Sequence, residues 1–503
     1  MHGGEHFDKP ALKSDKPWYA EMTRYHWFVF FVAALGWLFD CLDQQLFILA
    51  RPMAMEDLVK ETDTLTGKAL ADARSAAGNF STTIFMLGWA TGGLFFGILG
   101  DRIGRAKTMV ITILLYSLFT GLSALSVGVW DFAFYRFLTG LGVGGEFAVG
   151  IALVAEVMPD SARARSLSLL QALSAVGNVS AAMINLGLGV AEEEGLVGSP
   201  WRIMFMIGAI PALLALVIRW KLKEPEKWKN AKHEGVAKKQ LGSYRELFSD
   251  PVLRKHALLG LVLGCSGIVG LWSVGFFTPD LIRIVQTKAV RGEVIAEETA
   301  AAQSDPALLA RLQNIAKSYD LNSGIQLETQ DTELRKKIDR TTSGRLTRWS
   351  SFTSIAINVG AFCGMFGFGV LAQRIGRKKT FAIAFVAAFI STASVFWFLQ
   401  DMWQVFVMVP IMGFCQLSLF AGYAIYFPEL FPTRLRSTGT SFCYNVGRFV
   451  AAFGPIVKTA LERAFSDTTE PLRYAGVTMC FVFLVGLIVL PFLPETHGKP
   501  LPE

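Results

Sequence analysis

The sequence predicts an all-α integral membrane protein in which twelve transmembrane helices form two six-helix bundles, a 6+6 pseudo-repeat. Hydrophobic residues make up 52% of the 503 residues and charged residues only 18%, below the usual quarter of a globular chain. Charge is absent from stretches such as 27–39, 82–100 and 474–493. About 20 apolar residues let a helix cross about 30 Å of hydrocarbon. These observations exclude a soluble enzyme, a secreted disulfide scaffold and a disordered chain.

The apolar spans come in two sets of six, separated by a polar stretch. The chain therefore divides into an N-terminal segment (1–25), a first bundle (26–220), a central loop (221–255), a second bundle (256–493) and a tail (494–503). The predicted spans lie near 26–52, 80–100, 106–127, 130–157, 166–190, 201–220, 256–282, 350–373, 379–399, 402–427, 438–460 and 473–493.

Loop charge predicts the orientation. The central loop holds ten Lys or Arg against five acids, and the loops 102–107, 163–165, 374–379 and 434–436 are also basic. Cytoplasmic loops collect positive charge, and twelve spans place all of these loops on one side with both termini in the cytoplasm. The first 25 residues lack the apolar core of a cleaved signal peptide. We therefore expect a multi-pass protein of a bacterial-type inner membrane.

The remaining composition narrows the partners. The net charge of +7 comes from Lys and Arg between apolar spans, which favours a topological interpretation over nucleic-acid binding. All six cysteines fall inside apolar segments without metal-ligand spacing, so no metal site is expected. No nucleophile–base constellation or phosphate-binding glycine loop indicates an enzyme or a cofactor. We expect a monomer that lies in the lipid bilayer and binds protons and a small-molecule substrate.

Residues 285–348 depart from this plan as a long polar insert between spans 7 and 8, placed outside. Its mixed charge permits short amphipathic helices and a role as a cap or docking element. A poorly ordered insertion is the simpler interpretation.

The two halves repeat a loop motif, Gly-x-x-x-(Asp/Gln)-Arg-x-Gly-Arg, after spans 2 and 8. A second repeated motif, with glutamate and arginine around a proline, follows spans 4 and 10. Glycines permit close backbone approach, and an acid can cap a helix or pair with arginine. Because the motif occurs at corresponding positions of both halves, an ordinary basic loop does not explain it. The predicted gate residues are Gly97, Asp101, Arg102, Gly104, Arg105, Glu156 and Arg163 in the first half, and Gly369, Arg374, Gly376, Arg377, Glu429 and Arg436 in the second.

With these motifs the chain resembles the major facilitator superfamily along essentially its whole length outside the insert. The segment from Arg136 to Glu146, the Pro428–Arg436 segment and the tail Pro494–Lys499 resemble its metabolite:proton symporter and sugar-porter branches. The resemblance implies two bundles around a central cavity that opens alternately to either side.

Charged residues inside spans are costly and usually functional. Asp40 and Asp43 share one face of span 1, and two carboxylates this close in a low dielectric are not both expected to be ionised. A proton carrier needs such a group, although an acid at a helix end in a watery vestibule is the alternative.

This Asp-x-x-Asp resembles the Asp-Gly-x-Asp element of aromatic-acid:proton symporters. Asp43 also matches the proton-coupling aspartate of sugar porters, whose partner arginine corresponds to Arg136. The resemblance implies that Asp43 pairs with Arg136 until it is protonated. Arg136 could instead reach towards an interface, and Glu146 is either a second protonatable site or an acid satisfied by neighbouring polar groups.

Arg448 in span 11 has no acid within a helical turn. An organic anion is one natural partner, since guanidinium binds carboxylate in bidentate fashion; an internal ion pair across the bundle is the other. In having an arginine in span 11, the chain resembles organic-anion carriers. The predicted substrate-binding residues are Arg448, Asn445, Gln416, Tyr423 and Trp272.

The favoured function is therefore proton-coupled import of a small organic anion. A sugar or polyol porter is the alternative, weakened because span 7 lacks the Gln-Gln pair usual in sugar porters. Drug antiporters of this fold carry a Gly-x-x-x-Gly-Pro pattern in span 5. That function is disfavoured here, because residues 166–190 contain no proline. A non-transporting sensor is disfavoured because the intramembrane charges are retained.

Overall fold

The computed structural model describes residues 18–60, 67–193, 196–197, 200–213, 218, 221–233, 242–274, 278–302, 305–319, 329–468 and 470–502. The regular elements within these residues are helices. In the first half and central loop they are α1 (Arg24–Leu58), α2 (Gly67–Ile103), α3 (Arg105–Ser123), α4 (Val129–Val157), α5 (Asp160–Ala172), α6 (Ser174–Glu193), α7 (Pro200–Ile207), α8 (Glu226–His233) and α9 (Tyr244–Ser249).

The second half begins with α10 (Pro251–Val269), which continues into a π-helical turn, Gly270–Val274. Short 3₁₀ turns lie at Thr433–Leu435 and Leu490–Phe492. The remaining helices are α11 (Thr278–Ala301), α12 (Pro306–Ser318), α13 (Thr329–Ile375), α14 (Arg377–Phe398), α15 (Met402–Leu430), α16 (Arg436–Ala451), α17 (Gly454–Ala464), α18 (Pro471–Cys480) and α19 (Val482–Val489).

The twelve-span plan is confirmed by these helices. Ten helical segments of the described chain are long and apolar enough to cross a membrane. The other two predicted spans are interrupted: 201–220 begins as α7 and runs partly outside the described residues, and 438–460 is divided between α16 and α17 at residues 452–453. Breaks of this kind are tolerated in transporters where the freed backbone faces protein or a cavity.

Large apolar side chains cover the outside of both bundles. A soluble monomer rarely exposes so much contiguous apolar surface, whereas lipid tails require it. Exposed examples are Phe95, Leu118, Phe134, Met183, Ile210, Ile390, Phe406 and Ile488.

Helices α2 and α4 pack closely because glycines replace side chains at their contact. A Cβ atom on Gly140 would lie 2.3 Å from the Phe85 carbonyl oxygen, and one on Gly144 would lie 2.0 Å from that of Trp89. Such clashes are avoided only by glycine. This packing fixes α4, and with it Arg136 and Glu146, against the rest of the first bundle.

The insert 285–348 is largely helical where it is described, which agrees with the helices that its mixed charge permits. Helices α11 and α13 are long, and α13 runs continuously for 47 residues into span 8. These helices and α12 bury a small core of their own, made of Val294, Ala302, Leu312, Ile315 and Ile338. Sequence composition missed this core because its few apolar residues are spread over three helices.

The repeated loop motif forms matching turns in the two halves. Gly104, between α2 and α3, has φ 117°, and Gly376, between α13 and α14, has φ 91°; this left-handed region favours glycine. Arg105 follows the first turn and donates to the Gly100 carbonyl at 2.8 Å, as Arg377 donates to that of Ala372 at 3.1 Å. We call the end of the bundles that carries both turns the motif face.

Candidate transport site

Asp43 and Arg136 lie together inside the first bundle. Arg136 Nη1 is 3.8 Å from Asp43 Oδ1, and both side chains are fully buried. Asp43 Oδ1 also accepts a 2.6 Å hydrogen bond from Thr120, and Arg136 donates to Ser123 at 2.7 Å. The ion pair is thus loose, and neutral hydroxyl groups support each partner.

Aromatic rings surround the Arg136 guanidinium. Its Cζ lies 4.6 Å from the ring centre of Phe205, 5.6 Å from that of Phe47 and 6.0 Å from that of Phe132. Cation–π attraction stabilises a cation whose hydration has been lost. Arg136 is therefore a packed interior residue, and the alternative in which it reaches an interface is wrong.

Asp40 and Glu146 are buried acids of different character. Among the described residues, neither carboxylate oxygen of Asp40 has a hydrogen-bond partner. Glu146 Oε2 accepts a 2.8 Å bond from Thr112, while its Oε1 stands where a Cβ atom on Gly36 would be, only 2.4 Å away. Glu146 of α4 thus approaches α1 one helical turn before Asp40.

Arg448 is buried in α16 of the second bundle. Its Nη1 donates to Asn445 Oδ1 at 2.8 Å and to the Tyr444 carbonyl at 3.0 Å. The guanidinium Cζ lies over two aromatic rings, 3.8 Å from the ring centre of Trp89 and 4.4 Å from that of Tyr444. Its Nε has no partner, and no carboxylate of the described residues lies within ion-pair distance. The alternative of an internal ion pair is not seen.

An aromatic chain joins the two bundles around Arg448. Phe147 of α4 stacks on Tyr444 of α16 with ring centres 3.7 Å apart, and Trp37 of α1 packs on Phe147 at 4.7 Å. On the other side Trp89 meets Trp272 edge to face at 5.7 Å. The predicted residue Trp272 therefore belongs to this site.

Gln416 and Tyr423 do not join it, and their prediction as ligand contacts is corrected. Gln416 donates to the Gly270 carbonyl at 3.0 Å, where the π turn frees a backbone oxygen. The Tyr423 hydroxyl donates to the Leu263 carbonyl at 2.9 Å. Both side chains are buried, and these bonds tie α15 to α10. Asn445 lies near the site, where its side-chain oxygen accepts a hydrogen bond from Arg448.

The motif face is closed by bonds between the bundles. Asp101 accepts from the Ser437 and Thr438 amides at 3.2 and 2.8 Å, which caps α16. Arg105 joins Asp101 and Glu156 at 2.9 Å each and donates to the Thr433 carbonyl at 2.8 Å. An acid at a helix N-terminus satisfies free amides and the helix dipole.

Glu156 and Arg436 extend this network. Arg436 Nη1 lies 3.0 Å from Glu156 Oε1, and its Nη2 donates to the Pro502 carbonyl in the tail at 2.7 Å. Arg163 donates to the Ala155 carbonyl at 3.0 Å and pairs with Asp160.

The second half repeats the network with one difference. Arg377 pairs with Glu429 at 2.8 Å as Arg105 does with Glu156. Gln373 occupies the place of Asp101, and its amide donates to the Ser161 carbonyl at 3.2 Å. The helix-capping charge is therefore present on one side of the pseudo-repeat only. Of the other predicted gate residues, Gly97 and Gly369 lie at bundle contacts, while Arg102 and Arg374 are exposed.

Several residues of the site were not predicted. Glu224 accepts from the Ala106 and Lys107 amides at 3.2 and 3.1 Å, so it caps α3 after span 6. Glu495 caps α14 in the same way after span 12. Trp89 was missed because a tryptophan in an apolar span has no sequence signal that separates packing from binding.

The chain is similar to known membrane transporters along most of its length. A family model described as Major Facilitator Superfamily matches residues 27–289 and 339–503. The chain is 27% identical over 485 residues to a probable 4-methylmuconolactone transporter of Cupriavidus pinatubonensis, covering 96% of this chain and 93% of the relative. It is 26% identical to the niacin transporter NiaP of Acinetobacter baylyi, covering 95% and 96%.

A solved structure of the proton:xylose symporter XylE covers 95% of this chain and 98% of its own with a TM-score of 0.66. The sequence identity is 16%, so the likeness concerns the fold. The family model excludes the insert between residues 289 and 339, in agreement with its separate core. The family and the relatives are transporters and not enzymes, and this chain belongs to the major facilitator superfamily as a multi-pass membrane transporter.

Proposed function

We propose that this transporter imports a small organic anion, a carboxylate, together with protons, across a bacterial-type inner membrane with both termini in the cytoplasm. The observation that carries the proposal is Arg448. A buried guanidinium without a carboxylate partner is costly, yet this one is locked by Asn445 and two rings with Nε unpartnered. A site that keeps such a cation gains free energy when an anion binds it.

The geometry favours a carboxylate held against an aromatic wall. The guanidinium offers planar N–H donors that match the two oxygens of a carboxylate. Trp89, Tyr444 and Phe147 line the same place, and flat apolar parts of a substrate pack well on such rings. Two relatives named for 4-methylmuconolactone and niacin support an organic acid as cargo.

Proton coupling is proposed for the buried acids of the first bundle. Asp40, Asp43 and Glu146 are buried in the first bundle, and Arg136 balances only one of them. Uncompensated acids inside a membrane are typical of proton relays. We propose that their protonation changes as the bundles rock between the two open states.

A binding panel tests the proposal. The purified transporter would be titrated with acetate, benzoate, nicotinate, glucose and xylose while tryptophan fluorescence is followed, since Trp89 lies against Arg448 and Trp272 packs on Trp89. We expect saturable quenching by at least one carboxylate and none by the sugars. Saturation by a sugar alone would overturn the anion proposal and favour the sugar-porter alternative.

A further inference from the structure

Asn445 is a neutral side chain that contacts the cation of the proposed site. Its Oδ1 accepts a 2.8 Å hydrogen bond from Arg448 Nη1, and both side chains are buried. A carboxylate at this position would attract the guanidinium strongly in a low-dielectric interior and would neutralise it. The amide oxygen therefore holds the guanidinium in place and leaves its positive charge uncompensated.

Both hydrogens of Arg448 Nη1 are engaged within α16. One acceptor is Asn445 Oδ1, and the other is the Tyr444 carbonyl at 3.0 Å. A guanidinium carries N–H donors on Nε, Nη1 and Nη2, and a bidentate carboxylate contact uses two parallel N–H groups. Nε has no hydrogen-bond partner among the described residues. The edge formed by Nε and Nη2 is therefore the one that can receive both oxygens of a carboxylate.

The contacts of the Asn445 amide determine which end of it faces Arg448. Its Nδ2 donates to Ser441 Oγ at 2.9 Å and to the Gly144 carbonyl at 3.4 Å. A guanidinium only donates hydrogen bonds, and a carbonyl only accepts them. Rotation of the amide by half a turn would therefore oppose donor to donor and acceptor to acceptor. The partners of Nδ2 thus direct Oδ1 at Arg448.

The first bundle takes part in this arrangement. Gly144 lies on α4, and Gly93 on α2 leaves room for the amide, because a Cβ atom on Gly93 would lie 2.1 Å from Asn445 Nδ2. The Ser441 hydroxyl in turn donates to the Gly93 carbonyl. Asn445 is thus fixed by contacts from both bundles, so the orientation of Arg448 depends on how the bundles pack here.

We propose that Asn445 is the positioning residue of the anion site. Its amide orients Arg448 so that the Nε–Nη2 edge binds a carboxylate. Because the amide carries no charge, the site selects anions over neutral molecules of the same shape. The inference rests on the proposed function and deepens it, since it assigns anion selectivity to the neighbour of the arginine as well as to the arginine.

Paired acids and amides test this role. Isothermal titration of the full-length transporter with benzoate and benzamide, and with nicotinate and nicotinamide, gives an acid-to-amide affinity ratio. The two members of each pair have similar shapes and differ in charge. We expect the unmodified protein to bind the acid of at least one pair about tenfold or more tightly than its amide, because hydrogen bonds between two charged groups are stronger than those to a neutral one.

Asn445→Asp keeps the size of the side chain and adds a carboxylate beside Arg448. The internal ion pair should then compete with the bound anion, so we expect the acid-to-amide ratio to fall about tenfold while the affinity for the amide changes less than about twofold. Asn358→Asp is the matched control. It makes the same change at a buried amide whose partner is Asn178 at 2.9 Å, and it should leave the ratio unchanged.

Asn445→Ala removes the hydrogen bond without adding a charge. Arg448 Nη1 then keeps only the Tyr444 carbonyl as a partner, and the edge that binds the carboxylate is less well fixed. We expect the acid to bind about three- to tenfold more weakly and the amide to be little affected. Size-exclusion profiles show whether each variant folds.

The outcomes separate this inference from the proposed function. An unchanged ratio in Asn445→Asp, or equal losses of acid and amide affinity, would overturn the positioning role and leave anion transport standing. If Asn445→Asp does not fold, unchanged acid affinity in Asn445→Ala overturns that role, and so does failure of both variants to fold. An unmodified protein that binds neither acid, or binds acid and amide equally, would overturn the proposed function and this inference with it.

Discussion

At the scale of single residues, Arg448 is the side chain on which substrate choice depends. Arg448→Ala should raise the Kd for a bound carboxylate at least tenfold, because a charge-assisted hydrogen bond to a buried anion contributes about 1.5–3 kcal/mol. Arg448→Lys keeps the charge but loses the planar donors and the stacking on Trp89, so we expect an intermediate Kd. Fluorescence titration measures both, and an unchanged Kd in Arg448→Ala would remove this residue from the site.

The Asp43–Arg136 pair makes a second residue-scale prediction. Asp43→Asn leaves Arg136 buried without its acid, so we expect uphill uptake to be abolished while exchange of substrate across the membrane persists in part. Counterflow and gradient-driven uptake in proteoliposomes measure the two activities. Full uphill transport by Asp43→Asn would contradict a coupling role.

The double variant Asp43→Asn with Arg136→Gln is the matched control. It removes both charges and leaves neither unpaired, so it should recover protein yield if the single variant is unstable. Uphill uptake should stay absent if the pair serves coupling. Recovery of uphill uptake would show that the pair is only structural.

Sequence reasoning reached these ionisable residues because charges inside apolar spans are rare and easy to find. It identified Asp43 with Arg136, and it placed Arg448 and Asn445 together. It could not separate Gln416 and Tyr423 from ligand contacts, because the backbone carbonyls to which they donate, at Gly270 in the π turn and at Leu263 in α10, are neighbours that only the three-dimensional structure shows. Trp89 was missed for the same reason: its importance comes from the neighbour it stacks on.

At the scale of elements, the start of α14 depends on Glu495. Burial alone would raise the pKa of Glu495, but the amides of Arg377, Lys378, Thr496 and His497 donate to its carboxylate and together hold the pKa below its usual range. The ionised form is therefore the one that caps the helix.

Glu495→Gln should lower the free energy of unfolding by about 1 kcal/mol at neutral pH, as loss of a capping side chain does. The contribution is complete above the ordinary glutamate pKa of about 4.3 and is lost as pH falls through the lowered pKa. The melting temperatures of variant and unmodified protein should thus converge in acid. Asp467→Asn, an exposed acid elsewhere, is the control; a pH-independent difference would contradict the capping role.

The loop motifs were the part of the fold that sequence predicted best. Their repeated glycines and arginines are visible as a pattern, and the structure places each Gly-Arg pair at an equivalent turn. The caps by Glu224 and Glu495 were not predicted, since each acid lies more than 100 residues from the amides at the start of the helix that it caps. Hydrogen bonds between residues so far apart in the chain produce no local sequence pattern from which they could be predicted.

At the scale of the whole molecule, the described structure is closed at the motif face. Bonds between the bundles run from Asp101 with Ser437 and Thr438 to mid-depth, where Asn178 donates to Asn358 at 2.9 Å. Gly97 permits this closure, because a Cβ atom there would lie 2.7 Å from the Ser441 Cβ. Alternating access requires this contact to form and separate in each cycle.

Gly97→Leu should therefore hold the motif face open and reduce transport at least tenfold. Spin labels at Lys107 and Lys379, both exposed on that face, in a cysteine-free background would report a longer distance than in the unmodified protein. Gly187→Leu adds the same side chain where nothing lies within 4 Å and should change neither property. An unchanged distance distribution in Gly97→Leu would contradict the proposed closure.

The central claim is that a proton gradient drives accumulation of an organic anion, and uptake into proteoliposomes tests it most directly. Benzoate, nicotinate and glucose would be supplied with and without an inward proton gradient. We expect at least one carboxylate to accumulate above its external concentration only when the gradient is present. Equal uptake with and without the gradient, or accumulation of glucose alone, would contradict the account.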